Sequence, residues 1–262
     1  TSVYNTAVGY HAGVSVTTGK ENTLVGALSG DALTTGNKNV ALGYTALTSD
    51  TLGDRNVALG HTTLATQNFT TSTDSYNVAV GYAAGAAVTT GTFNVLLGGT
   101  SGDALTDADF NVAVGYSALG TDTLGSRSVA VGHSALNNQN FTTATDSYNT
   151  ALGFFAGLAV TTGTFNTIIG GLAGDALTDA DENVAVGAVA LSTDTLGSRS
   201  TAVGRSALAT QNFTTATNVY NTGLGYAAGS LITTGVRNTA VGGLALQLSL
   251  IHISEPTRPS SI

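Results

Sequence analysis

The chain of 262 residues has no cysteine, methionine or tryptophan, and only two prolines. Without cysteine there is no disulfide framework, no thiol chemistry and no thiolate metal site, although the redox compartment stays open. Charge is scarce too: 9% of residues are charged, and the net charge is −8. The eight Lys and Arg residues are scattered and form no basic stripe for a phosphate backbone, so nucleic acid is disfavoured as a partner. No apolar run is long enough to cross a bilayer as a helix, so membrane insertion of this segment is not expected. What abounds is glycine, 34 residues, together with Thr, Ala, Asn and Val. The aliphatic content separates the chain from a disordered polar tail.

These residues are ordered in a repeat. An Asn or Ser, a short apolar run and a Gly recur at Asn5, Asn22, Asn39, Asn56, Asn77, Asn94, Asn111, Ser128, Asn149, Asn166, Asn183, Ser200, Asn221 and Asn238. The anchors are spaced 17, 17, 17 and 21 residues, and the cycle then restarts, so super-repeats of 72 residues begin at 5, 77, 149 and 221. Segments 77–148 and 149–220 are identical at 52 of 72 positions. A period this short predicts stacked coils, each covering the last. The expected fold class is therefore all-β: a single parallel β-solenoid of 14 coils over residues 1–246, with 247–262 as a non-native or disordered tail. Within that tail, Leu248 to Arg258 breaks the pattern, carries both prolines and reads like a translated sequencing adapter. On that reading the chain is a fragment of a longer protein.

Within a coil, the residue three after the anchor is aliphatic in every copy, as at Val8, Leu42, Val114 and Val186. That strictness predicts a position facing the coil interior. The residue between, usually Ala, then points outward, and a small-residue outer face most simply packs against other copies of the chain. The next residue is Gly in all fourteen coils, a corner needing positive φ or lacking room for a Cβ. A second short strand is expected to close each coil on Thr-Thr-Gly (17–19, 34–36, 89–91, 161–163) or Thr-Leu-Gly (51–53, 123–125, 195–197). Helix is excluded by the spacing and by the Gly and Thr content. The anchor column fits a ladder of side-chain amides along the rod.

Two segments carry a resemblance. Arg127-Ser-Val-Ala-Val-Gly132-His-Ser-Ala135 and Arg55-Asn-Val-Ala-Leu-Gly60 resemble the head-domain repeat of trimeric autotransporter adhesins. The fuller form, Asn-Thr-Ala-Val-Gly followed by Thr-Thr-Gly, is similar to repeats of phage tail fibres. The resemblance spans Asn5 to about Leu246. It implies a left-handed β-roll, three chains about one axis, an extracellular, cell-surface or virion location, and attachment as the role, with no catalytic residue, metal or cofactor. The adhesin head repeat is shorter than these coils, so the cross-section here must be larger.

The candidate binding residues lie where every fourth coil gains four residues: Asn68, Phe69 and Thr70; Asn140, Phe141 and Thr142; Asn212, Phe213 and Thr214. An aromatic ring beside amide and hydroxyl groups suits a glycan or a protein receptor. The same rings could instead tuck back as bulge plugs. Asn-Phe-Thr also matches an N-glycosylation acceptor. Asp103, Asp107 and Asp109, repeated as Asp175, Asp179 and Asp181, could hold Ca²⁺, or form a solvated turn paired with Arg127 or Arg199. His61 and His133 share a column with Arg205 and with Tyr residues, which reads as surface rather than a catalytic base. Two other functions stay open. One is an ice-binding solenoid using the Thr17, Thr34, Thr51 column; the other is the scaffold of a polysaccharide-active fibre whose catalytic part lies elsewhere, since near-identical repeats single out no unique site.

Overall fold

The computed structural model describes residues 3–247; of the expected tail, 247–262, all but Gln247 lies outside them. The described chain is all-β, a parallel solenoid of about fourteen turns, with no helix among the described residues. One three-residue strand per turn, from Thr6–Val8 to Thr239–Val241, joins a single fourteen-stranded sheet. Neighbouring strands pair in parallel with like positions opposed: Thr6 faces Thr23, Val40 faces Val57, and Val57 faces Val78 across the longer coil. A rod of fourteen coils at a strand spacing of about 4.8 Å is roughly 65 Å long.

The facing of the strands reverses the sequence expectation. The middle residue is the buried one: Ala41, Ala58, Ala79, Leu96, Ala113 and Ile168 are all fully buried. The aliphatic residue after it points out, with Val8 59% exposed, Leu42 37% and Leu152 46%. The anchor decides this. Asn22 turns inward, where its Nδ2 donates to the carbonyl of Gly36 in its own coil at 2.9 Å and its Oδ1 accepts the backbone N–H of Asn39 in the next at 2.9 Å. Period-two alternation then places the residue two beyond the anchor inside, and the residues one and three beyond it outside. The amide ladder is present, and it also closes each coil.

The narrow interior explains the alanines. Where a larger side chain enters at the middle position, glycine makes room: a Cβ on Gly13 would lie 2.6 Å from Leu24 Cδ1, and one on Gly30 2.8 Å from Leu24 Cδ2. In coils with Ala41 or Ala58 at that position, the column of Gly13 and Gly30 carries Leu47 and Leu64, both fully buried despite left-handed φ of 55° and 47°. Volume is thus exchanged between two columns of one coil, keeping the core filled. The corner glycine is required twice over: Gly9 has φ 137°, and a Cβ there would sit 2.5 Å from the carbonyl oxygen of Gly26.

The expected second strand is present only beside the long coils. Gly53–Asp54 pairs with Thr73–Asp74, Gly125–Ser126 with Thr145–Asp146, and Gly197–Ser198 with Thr217–Asn218. Elsewhere the Thr-Thr-Gly segment is a bend whose groups still bond to the next coil, as in Thr17 N–H to the carbonyl of Thr34 at 2.9 Å. Two strand residues need two successive extended conformations, and the bend leaves no room for them.

Candidate interaction surfaces

The outward side chains of the fourteen-stranded sheet make the first surface. One column holds Thr or Val, as at Thr23, Val40, Val57 and Val78; the other holds Val, Leu or Ile, as at Val25, Leu42, Leu59 and Val80. These side chains are half-buried or exposed along the whole rod. A contiguous apolar face of this size is unusual on a solitary chain. The Ala face expected to contact other copies is inside; the Val and Leu face takes its place outside.

Two rails of large side chains flank this face. The first, immediately before each anchor, stacks Tyr76 on Phe93 at 5.4 Å and Phe93 on Phe110 at 5.1 Å, with planes 17° and 6° apart. Arg127 follows, its guanidinium 5.2 Å from the Phe110 ring and 5.9 Å from Tyr148, which stacks on Phe165 at 5.3 Å. Residues of this rail hold left-handed backbone, including Tyr76 at φ 49° and Phe93 at φ 57°. The second rail follows the corner glycine. It places Tyr44, His61 and Tyr82 with ring centres 5.2 and 5.4 Å apart, and Tyr116, His133 and Phe154 at 5.4 and 5.5 Å; His61 and Tyr82 are stacked, and the other pairs are tilted by 31° to 36°. The histidines are members of a column of contacting rings, which accounts for their exchange with Arg205, itself 5.8 Å from the Tyr226 ring. Stacking covers the ring faces and turns the edges outward.

The long-coil loops form the second surface. Phe69, Phe141 and Phe213 are only 5%, 5% and 8% exposed, so each ring plugs the bulge. Asn68, Asn140 and Asn212 stay on the surface with Thr70, Thr142 and Thr214. Asn68 Oδ1 accepts from the hydroxyl of Thr51 at 2.9 Å, as Asn140 Oδ1 does from Thr123 at 3.1 Å.

Beneath each loop lies a buried polar relay that the sequence reading missed. Gln139 Nε2 donates to Asp122 Oδ2 at 2.6 Å, while Gln139 Oε1 accepts from Asn149 Nδ2 at 2.8 Å. Asp122 Oδ1 accepts the backbone N–H groups of Gly125 and Phe141 at 3.1 and 3.0 Å. Asp50–Gln67–Asn77 and Asp194–Gln211–Asn221 repeat the arrangement. Burial pushes the Asp50 carboxyl above its ordinary value, opposed by its hydrogen bonds from Gln67, Gly53 and Phe69. The signal was in the sequence: the column reading Val16, Leu33 turns to Asp50, Gln67 and repeats as Val88, Leu105, Asp122, Gln139. Where the anchor is Ser the relay takes it in: Gln139 Nε2 donates to Ser128 Oγ at 2.9 Å, and Gln211 Nε2 to Ser200 Oγ at 3.0 Å. Beside Gln67 the anchor is Asn56, whose Nδ2 donates instead to Asn39 Oδ1 at 3.1 Å.

The acidic segments form no cation site among the described residues, where no three His, Asp or Glu side chains gather in ligating positions. Asp107 accepts from the Thr90 hydroxyl at 2.7 Å, and Asp109 from the Thr92 backbone and hydroxyl at 2.6 and 2.8 Å. Asp179 and Asp181 do the same with Thr162 and Thr164. Partial burial raises the carboxyls of Asp103 and Asp175 above their ordinary values. The arginines pair elsewhere than expected: Arg127 with Asp146, and Arg199 with Glu182 at 3.1 Å. Glu182 is held below the ordinary carboxylate range by its hydrogen bond from Arg199. Lys20, Lys38 and Arg55 line one cleft with Glu21, Asp54 and Asp74, so their charge is locally balanced. No helix of the described residues is long and apolar enough to cross a membrane. Comparison with protein-family models, curated proteins and solved structures finds no match.

Proposed function

We propose that this chain is a segment of a homotrimeric attachment fibre, a left-handed β-roll lying outside the cell or on a virion, with a structural rather than catalytic role. One observation carries this reading: a rod about 65 Å long presents a flat, apolar sheet face along its length. With the flanking rails that face is about 20 Å wide, or roughly 1,300 Å², more than the ~800 Å² per partner of a standard protein interface. The repeats of 17, 17, 17 and 21 residues then place a loop on one side of the rod every four coils, roughly 19 Å apart. Multivalent contact with a glycan or protein receptor falls to the exposed members of those loops, Asn68 and Thr70 and their equivalents, rather than to the plugged rings.

The ice-binding alternative draws less support. Hydroxyls of the Thr17, Thr34 and Thr106 column donate to carbonyls of the next coil at 3.1, 3.1 and 3.0 Å, so they are engaged within the chain. Light scattering tests the proposal. The purified chain is expected at three times 26.0 kDa, and a stable monomer at micromolar concentration would refute it.

A further inference from the structure

Glycine in this array has an evident reason nearly everywhere. The described glycines have left-handed or mirrored φ, or a Cβ would come closer than 3.0 Å to a neighbouring atom, except at Gly99, Gly171 and Gly243. A Cβ on Gly99 would meet only Tyr116, at an ordinary 3.5 Å; one on Gly171 would meet only the Phe154 carbonyl oxygen at 4.0 Å; one on Gly243, in the last described coil with no coil stacked beyond it, meets nothing. None of the three has positive φ. They occupy one column, 72 residues apart, in the second rail, where Ala27 holds the equivalent place in the first cycle, Ala188 follows Gly171, and the remaining coils carry Tyr, Phe, His or Arg. The chain's own fold leaves space there for a large side chain, and the sequence withholds one.

We infer that these glycines are sockets for a second copy of the chain, and that the first rail of one copy fills the second rail of the next. This deepens the trimer reading and rests on it. In a closed ring of three, each copy is related to the next by pure rotation, so contacts are heterologous and carry no stagger along the rod. The first rail of one copy therefore meets the second rail of its neighbour at the same coil. At the coil of Asn94 this sets Phe93 against Gly99; at Asn166 it sets Phe165 against Gly171; at Asn238 it sets Arg237 against Gly243. Phe93 and Phe165 are 44% and 55% exposed. Tyr82 and Tyr116 stand one coil either side of Gly99. Adjacent rings in this rail are 5.2 to 5.5 Å apart, so the gap between Tyr82 and Tyr116 is one ring thick, and the free edge of a neighbour's Phe93, its faces held by Tyr76 and Phe110, reaches into it. Elsewhere the pairing sets Lys38 against Tyr44, cation against ring, and Arg127 against His133. One coil opposes Arg199 to Arg205, and there Arg199 is already paired with Glu182. The sockets fix parallel orientation and register, which a face of Val, Leu and Thr repeated at every coil leaves free to slide.

The absence of cysteine makes the test clean. In the variant carrying both Phe93→Cys and Gly99→Cys, the two positions on one chain lie on either side of the strand Val95–Leu97, which with its flanking residues holds them roughly 13 Å or more apart, beyond the ~7 Å Cα limit of a disulfide. Any bridge must join copies. Under mild oxidation covalent trimers are expected on a non-reducing gel, and Phe93→Cys with Gly171→Cys, four coils out of register, should give none. A trimer in solution that crosslinks equally in both variants, or in neither, overturns the register while leaving the trimer standing. A monomer by light scattering overturns both. In a second variant, Gly99→Tyr with Gly171→Tyr fills the sockets with residues the single chain accommodates. Unchanged circular dichroism with association weakened more than about tenfold is expected, on the scale of an interface anchor; undiminished association overturns the inference. Should the tyrosine variant fail to fold, crosslinking still decides.

Discussion

At the scale of single residues, Asp50 is the most exacting position. It is fully buried, its partners are neutral donors, and burial raises its carboxyl above the ordinary value. The sign follows from linkage: the folded chain holds this proton to higher pH than the unfolded chain, so the contribution is greatest below the ordinary value of 3.8 and is lost as pH rises through the raised one. Unfolding of wild type and Asp50→Asn in urea, followed from pH 3 upward, is expected to show wild type losing ground to the variant across that window. A constant difference would show that Asp50 does not titrate there. The plug rings give a second prediction. Phe141→Ala should cost about 3–5 kcal/mol, the range for emptying a buried aromatic site, read as a lower denaturation midpoint. The triple change Thr70→Ala, Thr142→Ala and Thr214→Ala touches exposed side chains only and should alter stability by less than about 0.5 kcal/mol. If those loops carry receptor contact, glycan-array or cell binding falls in that variant with the fold intact; retained binding would clear the loops of the role.

At the scale of the coil, stability comes from polar closure as much as from apolar burial. An interior lined with Ala41, Ala58 and Ala79 buries little surface per residue, and the anchor amide compensates by joining its own coil end to the backbone of the next. Removing it at Asn94 strips a partner from the carbonyl of Ala108 and from the N–H of Asn111, bonded at 2.7 and 3.0 Å. Each buried group left unpaired costs about 1–3 kcal/mol, so Asn94→Ala should destabilise by several kcal/mol, with hydrogen exchange accelerated first in the coils on either side. Protection lost uniformly along the rod would argue instead for all-or-none opening. The aromatic rails work differently. Their stacked rings present edges, which suits lateral packing between rods better than the face-on stacking that a sugar ring prefers.

At the scale of the whole rod, the buried relays make the order of coils matter. Deleting residues 77–148 removes a complete cycle and leaves every Asp coil beneath a Gln coil. That variant should fold and shorten by roughly 19 Å, measurable by small-angle scattering. Deleting 111–127 removes a single coil, the one bearing Asp122, and sets Gln139 over Leu105 with its Nε2 deprived of the carboxylate. This shorter deletion should be the more damaging of the two in thermal unfolding. Equal tolerance would mean that coils are interchangeable and the relays incidental.

The period, the parallel stacking, the glycine corners and the amide column follow from sequence because each is a local requirement repeated fourteen times: Gly9 must be glycine wherever the chain turns that corner, and Asn22 must reach Gly36 wherever a coil closes. Which face of the strand lies inside was decided by tertiary structure. Strictness at Val8 and Leu42 and smallness at Ala41 are compatible with either facing, until the inward anchor sets the parity and the narrow interior admits Ala but not a column of Val. The Asp122–Gln139–Asn149 relay likewise joins residues of three successive coils, so a linear reading gives Asn149 its place in the amide column but does not connect Asp122 and Gln139 to it. Gly99 shows the same division. Its identity is plain in the sequence, but that the chain's own packing gives no reason for it became visible only when every neighbour had a position.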